Sequence, residues 1–469
     1  MEITEAIALQ YVEAGQLERA VEQAELMTDA YARDSILARI TPIAVASGDD
    51  DYALELLETI DDPILHNSAI ENMSIEFARR GKFDTALELA DQASDNDSTL
   101  GSIAALYWQS GQKNEAVELA RSIEFDQQRA ITLAQLAKLS DEKEESQNLL
   151  TEAQKAAEQI ESAEPKVYAL LPIASVYEER ADRERSLEIL NRALEVCDDF
   201  ENAQMIGLSG SFARDDTLLQ IVEAFLRLDE LSKATEIVEE MEDQFIFARG
   251  NLALAVASGK GQEGAGEAKL LDEAATFISE LEAYSNEEAG QLDGLIAELA
   301  QAYANRGRYP DSRRMIQSTR FEPQRVFALK QLGKLCGSAG HDRALFEIEL
   351  DLPNPYEKAQ YWLGIYDSTR ANHAELSERA LTKALTNAES LEQPVEKAEV
   401  FTEIALTLAK SQRAAEAEEF FSTATNATIL IGGNFLRARA FLRLAKASQE
   451  VDRRPNQNEM ALLQQFMIW

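Results

Sequence analysis

Long-range self-similarity constrains this chain more than any other feature. The segment Phe125-Asp-Gln-Gln-Arg129-Ala-Ile-Thr-Leu133-Ala-Gln135-Leu-Ala-Lys138-Leu139 returns 196 residues later as Phe321-Glu-Pro-Gln-Arg325-Val-Phe-Ala-Leu329-Lys-Gln331-Leu-Gly-Lys334-Leu335. Duplication explains this better than chance. A shorter echo, Ala44-Val45-Ala46-Ser47-Gly48, recurs as Ala255-Val256-Ala257-Ser258-Gly259. Copies of a small unit fold by stacking, because each exposes an apolar face that only its neighbour can cover.

The unit itself is a triplet: an aromatic or small residue, a Gly or polar residue four later, and a small residue five after that. It reads Tyr11, Gly15, Ala20; Ala44, Gly48, Ala53; Phe77, Gly81, Ala86; Tyr107, Gly111, Ala116; Tyr177, Ala181, Ser186; Phe225, Asp229, Ala234; Tyr303, Gly307, Ser312; and, more weakly, Cys336, Gly340, Leu345. Turn positions fall at 15, 48, 81, 111, 144, 181, 229, 259, 307, 340, 373, 412 and 452, spaced by 30 to 48 residues, which gives about thirteen units. Within a unit apolar residues recur at three and four, as in Ile70, Met73 and Phe77, the period of a helix. Only 21 Gly and 10 Pro in 469 residues, with no valine-threonine runs, favour helix nearly throughout. The expected unit is therefore two antiparallel helices. Gly ends the first in a left-handed turn, the small residue lets the second approach, and the aromatic fills the gap between units. The last unit, around Phe435 to Asp452, lacks an obvious second half and is expected to cap the array.

These offsets resemble the tetratricopeptide repeat, with its aromatic, turn Gly, small residue and closing Pro. Pro63, Pro165, Pro323, Pro355 and Pro394 lie 16 to 18 positions before the next turn position. The resemblance covers nearly the whole chain but is degenerate. The early Trp is absent, and of the Leu-Gly pairs Leu100-Gly101, Leu332-Gly333 and Leu363-Gly364, only the second is in register. It implies an all-α solenoid, a right-handed superhelix of about thirteen helix-turn-helix repeats over residues 1–469. Irregularity or a break is expected near 197–214 (Ser209-Gly210-Ser211) and 259–292, with capping over 437–469.

Acids outnumber bases 84 to 45, for a net charge of −39, which repels phosphate backbones and anionic headgroups. Nucleic acid and membrane are thus not expected as partners. The acidity serves solubility, in a saline environment for example, or attracts a basic partner. With no basic-apolar leader after Met1 and no uninterrupted apolar span, the chain is expected to be soluble and cytoplasmic. Cys197 and Cys336 lack C-x-x-C spacing and are expected to be buried thiols.

Several motifs resemble chemistry. Gly259-Lys-Gly261-Gln-Glu-Gly264 matches G-x-G-x-x-G, but that fingerprint needs a preceding strand, and the copy at 44–48 marks this segment as a helix end. His66, His341 and His373 are the only histidines and are scattered. His66 shares its place, 15 before the turn, with Arg33, Arg129, Lys166, Arg214, Arg325, Lys358 and Lys397. A cation there is expected to pair with acids ending the previous helix, aided by the helix dipole. Paired carboxylates such as Glu144-Glu145 and acidic runs such as Asp49-Asp50-Asp51 read as solvated surface. No cofactor, metal or catalytic residue is expected. The apolar end Phe466-Met467-Ile468-Trp469 either folds back on the last helix or inserts into a partner or a second copy.

In arrays that this chain resembles, first helices line a groove that holds peptides. The family's groove offsets, 6, 3 and 2 before the turn, mark Arg79, Trp108, Lys138, Glu178, Arg227, Gln301, Asn305, Lys334, Asp367 and Arg370. The implied function is a non-enzymatic protein-interaction scaffold or adaptor binding a protein or peptide segment. A peptide-responsive sensor and an α/α-toroid hydrolase stand as alternatives.

Overall fold

In the computed structural model of the protein, ten of the thirteen expected turn positions adopt left-handed backbone. They are Gly15, Gly48, Gly81, Gly111, Ala181, Asp229, Gly307, Gly340, Gln412 and Asp452, with φ between 50° and 96°. The residue after each donates its N–H back to the carbonyl of the aromatic-or-small position, as in Lys82 N to Phe77 O (2.9 Å), Asp182 N to Tyr177 O (2.9 Å) and Arg413 N to Leu408 O (3.0 Å). This closed turn ends one helix and reverses the chain into the next.

The structure describes residues 3–94, 96–197, 210–258, 265–454, 456–457 and 459–461. Gly259 to Gly264, Ser209 and Phe466 to Trp469 lie outside them. The helices are α1 (Ile3–Glu13), α2 (Leu17–Glu25), α3 (Ala30–Ser47), α4 (Asp50–Leu57), α5 (Pro63–Arg79), α6 (Phe83–Ala90), α7 (Asp97–Gln109), α8 (Lys113–Ser122), α9 (Asp126–Leu139), α10 (Lys143–Gln159), α11 (Ala163–Glu179), α12 (Arg183–Cys197), α13 (Gly210–Arg227), α14 (Leu231–Glu239) and α15 (Gln244–Ala257). They continue as α16 (Ala265–Glu280), α17 (Asn286–Asn305), α18 (Tyr309–Gln317), α19 (Glu322–Ser338), α20 (Asp342–Asp351), α21 (Pro355–Thr369), α22 (Ala374–Glu389), α23 (Pro394–Lys410), α24 (Ala414–Ile429) and α25 (Asn434–Glu450). Odd-numbered helices are the first members of pairs and even-numbered ones the second, and α25 has no second helix among the described residues. No strand occurs among them, and no helix there is long and apolar enough to cross a membrane.

The chain divides into two compact units, Glu2–Ala274 and Ala275–Trp469. In the first, one hydrophobic core runs from Ala8 to Leu254. The residue five after the turn is buried as the pattern requires: Ala20, Ala53, Ala86, Ala116, Ser186 and Ala234 are fully enclosed, as is Leu345 in the second unit, with Ser312 nearly so. The aromatic position bridges units. Tyr107 stacks on Phe83 of the preceding α6 with ring centroids 3.8 Å apart. Tyr177 OH accepts from Gln147 and Gln154 of the preceding α10, at 3.0 and 3.1 Å. The Gly of each Leu-Gly pair meets a neighbouring first helix, the next one for Gly101 and Gly333 and the preceding one for Gly364. Gly101 faces Thr132 and Gln128, Gly333 lies under the Tyr361 ring, and the Lys334 stem rests on Gly364.

Two turns differ from expectation. The turn assigned to Glu144 lies earlier, because α9 stops at Leu139 while its duplicate α19 runs on to Ser338. The sequence there offers Ser140-Asp141-Glu142 and no glycine, so an extended Ser140 makes the turn. Its hydroxyl accepts from Glu142 N (3.2 Å) and donates to Glu145 (2.6 Å). His373 likewise is not left-handed, with φ −135°. The cation 15 before the turn divides its roles. Arg129, Arg325 and the equivalent Arg437 donate to the carbonyl six residues earlier, Ile123, Thr319 and Ile431, and Lys166 pairs with Glu158 at the end of α10. Arg33 and Arg214 instead reach forward, to Asp61 and to Glu240 O.

Next to that cation stands a residue the triplet does not contain. Asp34, Asp97, Asp215 and Asp293, each 14 before a turn, are buried on first helices. Each accepts the backbone N–H groups 27 and 28 residues ahead, where the chain enters the next unit. The bonds are 2.9 and 2.8 Å to Asp61 and Asp62, 3.4 and 2.7 Å to Glu124 and Phe125, 2.7 and 2.6 Å to Glu242 and Asp243, and 2.9 and 3.1 Å to Arg320 and Phe321. Asn67 accepts in the same way from Ser94 N at 2.8 Å. Burial disfavours the ionised form of Asp34, but the two N–H groups and Arg33, 2.6 Å away, outweigh it and hold the carboxyl below its usual range. At Asp215 burial wins and the pKa rises, since Arg214 stands back at 3.6 Å.

Asp34→Ala should cost about 3 kcal/mol, because two buried donors lose their acceptor. Amide hydrogen exchange at Asp61 and Asp62 should accelerate with it. Asp97→Asn, which keeps one acceptor, should cost about half as much. Ala181→Gly, relieving a left-handed alanine, should raise the thermal midpoint by the equivalent of about 1 kcal/mol, and Gly111→Ala should lower it.

Candidate interaction face on the first helices

The residues marked by the groove offsets lie on or at the ends of first helices, α15 carrying none, and most of them are engaged with a neighbour. Lys138 of α9 pairs with Glu179 of α11 at 2.6 Å, and Arg227 of α13 reaches back to Glu178 of α11 at 3.3 Å. Two adjacent residues of α11, Glu178 and Glu179, thus take one cation each, from the first helix after and the first helix before. Arg370 pairs with Asp367 (3.3 Å) and donates to Ser411 of α23 (2.7 Å). Arg79 is held by Glu76 of its own helix, and Gln301 donates to Asn305 at 2.7 Å. Trp108 is not presented outward. It is 6% exposed, its indole N–H donates to Leu139 O of the next first helix at 3.3 Å, and Lys113 lies over its ring. That tryptophan serves the joint between units.

In the second unit a polar chain crosses four first helices that the offsets did not single out. Lys330 of α19 donates to Gln360 of α21 (2.6 Å) and pairs with Glu357. Gln360 donates to Tyr356 OH (3.1 Å) and to Glu403 of α23 (3.2 Å), and Tyr356 OH donates to Glu399 (2.9 Å). Arg443 of α25 closes the chain on Glu399 and Glu403, both at 2.8 Å. Burial pushes the Glu403 carboxyl up despite Arg443, and burial together with Glu399 pushes the Tyr356 phenol up. The network can hold charge in place across the stack. Its residue types, spread over helices roughly forty residues apart, give no local motif.

Beside it the face becomes apolar. Between α17 and α19 a groove of about 550 Å³ is floored by Gly290, Gly294, Ala297 and Ala304 and walled by Phe321 and Phe327. Phe327 is 64% exposed. The serine five after the Gly307 turn, Ser312, lies at the floor, 1% exposed and with no hydrogen-bond partner for its hydroxyl. Elsewhere the corresponding serines are satisfied: Ser186 donates to Ala174 O (2.9 Å) and Ser377 to Tyr366 O (3.2 Å).

The histidines stay apart from any such cluster. His341 packs on Tyr309 with ring centroids 4.8 Å apart, His373 contacts Ser338 O at 3.1 Å, and His66 lies in the first turn of α5. Among the described residues no group of three or more His, Cys, Asp or Glu is placed to hold a metal ion. Cys197 and Cys336 are buried and form no disulfide, and burial pushes the Cys336 thiol up to about 12.

No protein-family model matches the sequence, and no curated protein matches it. Among solved structures the chain is similar to Ton1535 from Thermococcus onnurineus NA1, at 15% identity over 77% of this chain and 98% of that one, with a TM-score of 0.27. It is similar also to the APC/C hetero-tetramer Cut9-Hcn1, at 12% identity over 95% of each chain and a TM-score of 0.23. A circular tandem repeat protein with novel repeat topology aligns at 14% identity over 95% of this chain and 88% of that one, with a TM-score of 0.14. The chain's own helix pairs, not these loose superpositions, define its class: an all-α repeat protein with tetratricopeptide-like units.

Arg443→Met should leave Glu399 and Glu403 without their cation. A carboxyl whose folded pKa is raised weakens the fold as pH climbs through that value. The variant's loss of thermal stability relative to wild type should therefore be largest near pH 7 and shrink as pH falls towards 4.5.

Proposed function

We propose that the chain is a non-enzymatic scaffold that binds protein segments along the face of its first helices. The reading is supported chiefly by the α17–α19 groove, an apolar trough on a chain whose other large apolar side chains are mostly spent inside the stack. Tetratricopeptide-like units favour the same use, since stacked first helices offer a continuous surface with many side chains free of core duty. The ion pairs Lys138–Glu179 and Arg227–Glu178 and the network from Lys330 to Arg443 supply fixed polar groups that select among partners.

The test is capture from a lysate of the source cells with cross-linking and mass spectrometry. Wild type is compared with a triple variant, Arg79→Glu, Lys138→Glu and Lys334→Glu, and with a control, Arg343→Glu, on the second helix α20 where the side chain is 93% exposed. The scaffold reading expects a stoichiometric protein whose cross-links map to odd-numbered helices and whose yield falls at least fivefold in the triple variant alone. Cross-links confined to second helices, or no protein captured at low or high salt, would refute it.

A further inference from the structure

We infer that the groove between α17 and α19 is the seat of a cationic amphipathic helix contributed by a partner protein, a specification that rests on the scaffold reading. Three observations converge on it. The first is shape. Along α17, Gly290, Gly294, Ala297, Gln301 and Ala304 follow one another at intervals of three and four, so one face of that helix is nearly bare and another helix backbone can come close to it. From Gly290 to Ala304 the trough runs about 21 Å at 1.5 Å per residue, the length of a helix of about 14 residues. Phe321 and Phe327 form the opposite wall, and Phe327 would be covered by such an occupant.

The second is the hydroxyl of Ser312. A buried polar group without a partner costs free energy, and the equivalent serines of other units have carbonyls to bond. Here Ser312 lines the trough floor, and its hydroxyl, buried while the trough is empty, reaches a polar atom of an occupant by turning about its Cα–Cβ bond.

The third is charge. The trough is flanked by Glu287 and Glu322, exposed in the first turns of α17 and α19, while the cations nearest in sequence direct donors to groups outside its lining. Arg306 donates to Ala302 O (3.1 Å), Arg320 to Ala283 O (3.2 Å), Arg325 to Thr319 O (3.2 Å) and Lys330 to Gln360 (2.6 Å). No cation lines the trough itself. An apolar floor with an acidic rim, on a chain of net charge −39, fits a helix with one apolar face and lysine or arginine on its flanks.

Gly290 provides a variant that fills the trough without disturbing the fold, because nothing lies within 4 Å of a Cβ placed there and its backbone is helical. The full chain is titrated with a labelled peptide of about 14 residues, leucine on one face and lysine on the other. The comparison peptides are a scramble of the same composition and a version with glutamate for lysine. Fluorescence anisotropy reports binding, and melting curves establish that each variant is folded. The expected result is saturable binding of the lysine peptide alone, weakened at least tenfold by Gly290→Phe and by Phe327→Ser, and weakened also by Glu287→Lys with Glu322→Lys. Equal binding of the scramble, or binding indifferent to Gly290→Phe, would show attraction to the acidic surface at large and overturn the assignment. A dimer in sedimentation that dissociates with Gly290→Phe would give the groove to a second copy and overturn it as well. A captured cellular partner still held by the Gly290→Phe chain would remove this groove while leaving the scaffold reading standing.

Discussion

A carboxylate sunk into the first helix of one unit, with its oxygens receiving two N–H groups from the start of the next, joins requirements that helical arrays otherwise meet separately. The entering chain leaves its helix N-terminus with donors that have no partner in the helix, and those donors lie against the core rather than in water. Asp34, Asp97, Asp215 and Asp293 supply the acceptors from a neighbouring helix, so the start of each following unit is fixed by the one before it. Asp62 and Asp243, whose N–H groups are held in this way, in turn cap α5 and α15 by accepting from the N–H groups two and three residues on. At the opposite end of the units Arg80 and Arg180 do the complementary work, donating to Val45 O and to Ala137 O and Ser140 O of the preceding first helix. Positional information thus passes along the chain through hydrogen bonds with direction, whereas the apolar contacts between the same helices tolerate sliding.

The presence of the acid follows the length of the second helix. Asp34, Asn67, Asp97, Asp215 and Asp293 precede second helices of 8, 8, 10, 9 and 9 residues, whereas Ala130, Val167, Ala359 and Ala398 occupy the same position before helices of 17, 15, 16 and 16. A short second helix brings the chain back level with the acid. A long one carries it roughly 10 Å further, at 1.5 Å per residue, beyond the reach of a side chain. Val326 before the ten-residue α20 breaks the correlation, and there Arg325 alone, on Thr319 O, ties the helix start.

Much of this was legible in the sequence because the constraint at the turns is local. A left-handed residue needs Gly or a tolerated substitute, and a small residue five later is needed for close approach, so the triplet located Ala181 and Asp229, and the repeat spacing Gln412 and Asp452, without any glycine to mark them. The turn near residue 144 was misplaced for the same reason. Its duplicate carries a glycine, and Ser140 builds a different turn by hydrogen bonds from its own hydroxyl. The buried aspartates left a signal at a fixed offset that a triplet search passes over, since an acid in so acidic a chain reads as surface. Trp108 shows the limit of carrying offsets across from a family, because its position matches a groove residue while its ring has gone into the joint. The apolar groove was out of reach altogether. Gly290, Gly294 and Ala297 on α17 are ordinary helix residues until α19 is seen to leave them uncovered.

The second helices also have a grammar of length. Among the described pairs they have 8 to 10 residues or 15 to 17, and none falls between. The difference, about seven residues, is two turns of helix, which returns the exit of the chain to the same angular position around the helix axis. A unit of this kind can be lengthened by whole turns and keep its successor in phase. The two length classes account for the uneven spacing of the repeats: turn positions stand 30 to 33 residues apart across a short second helix and 37 to 48 apart across a long one.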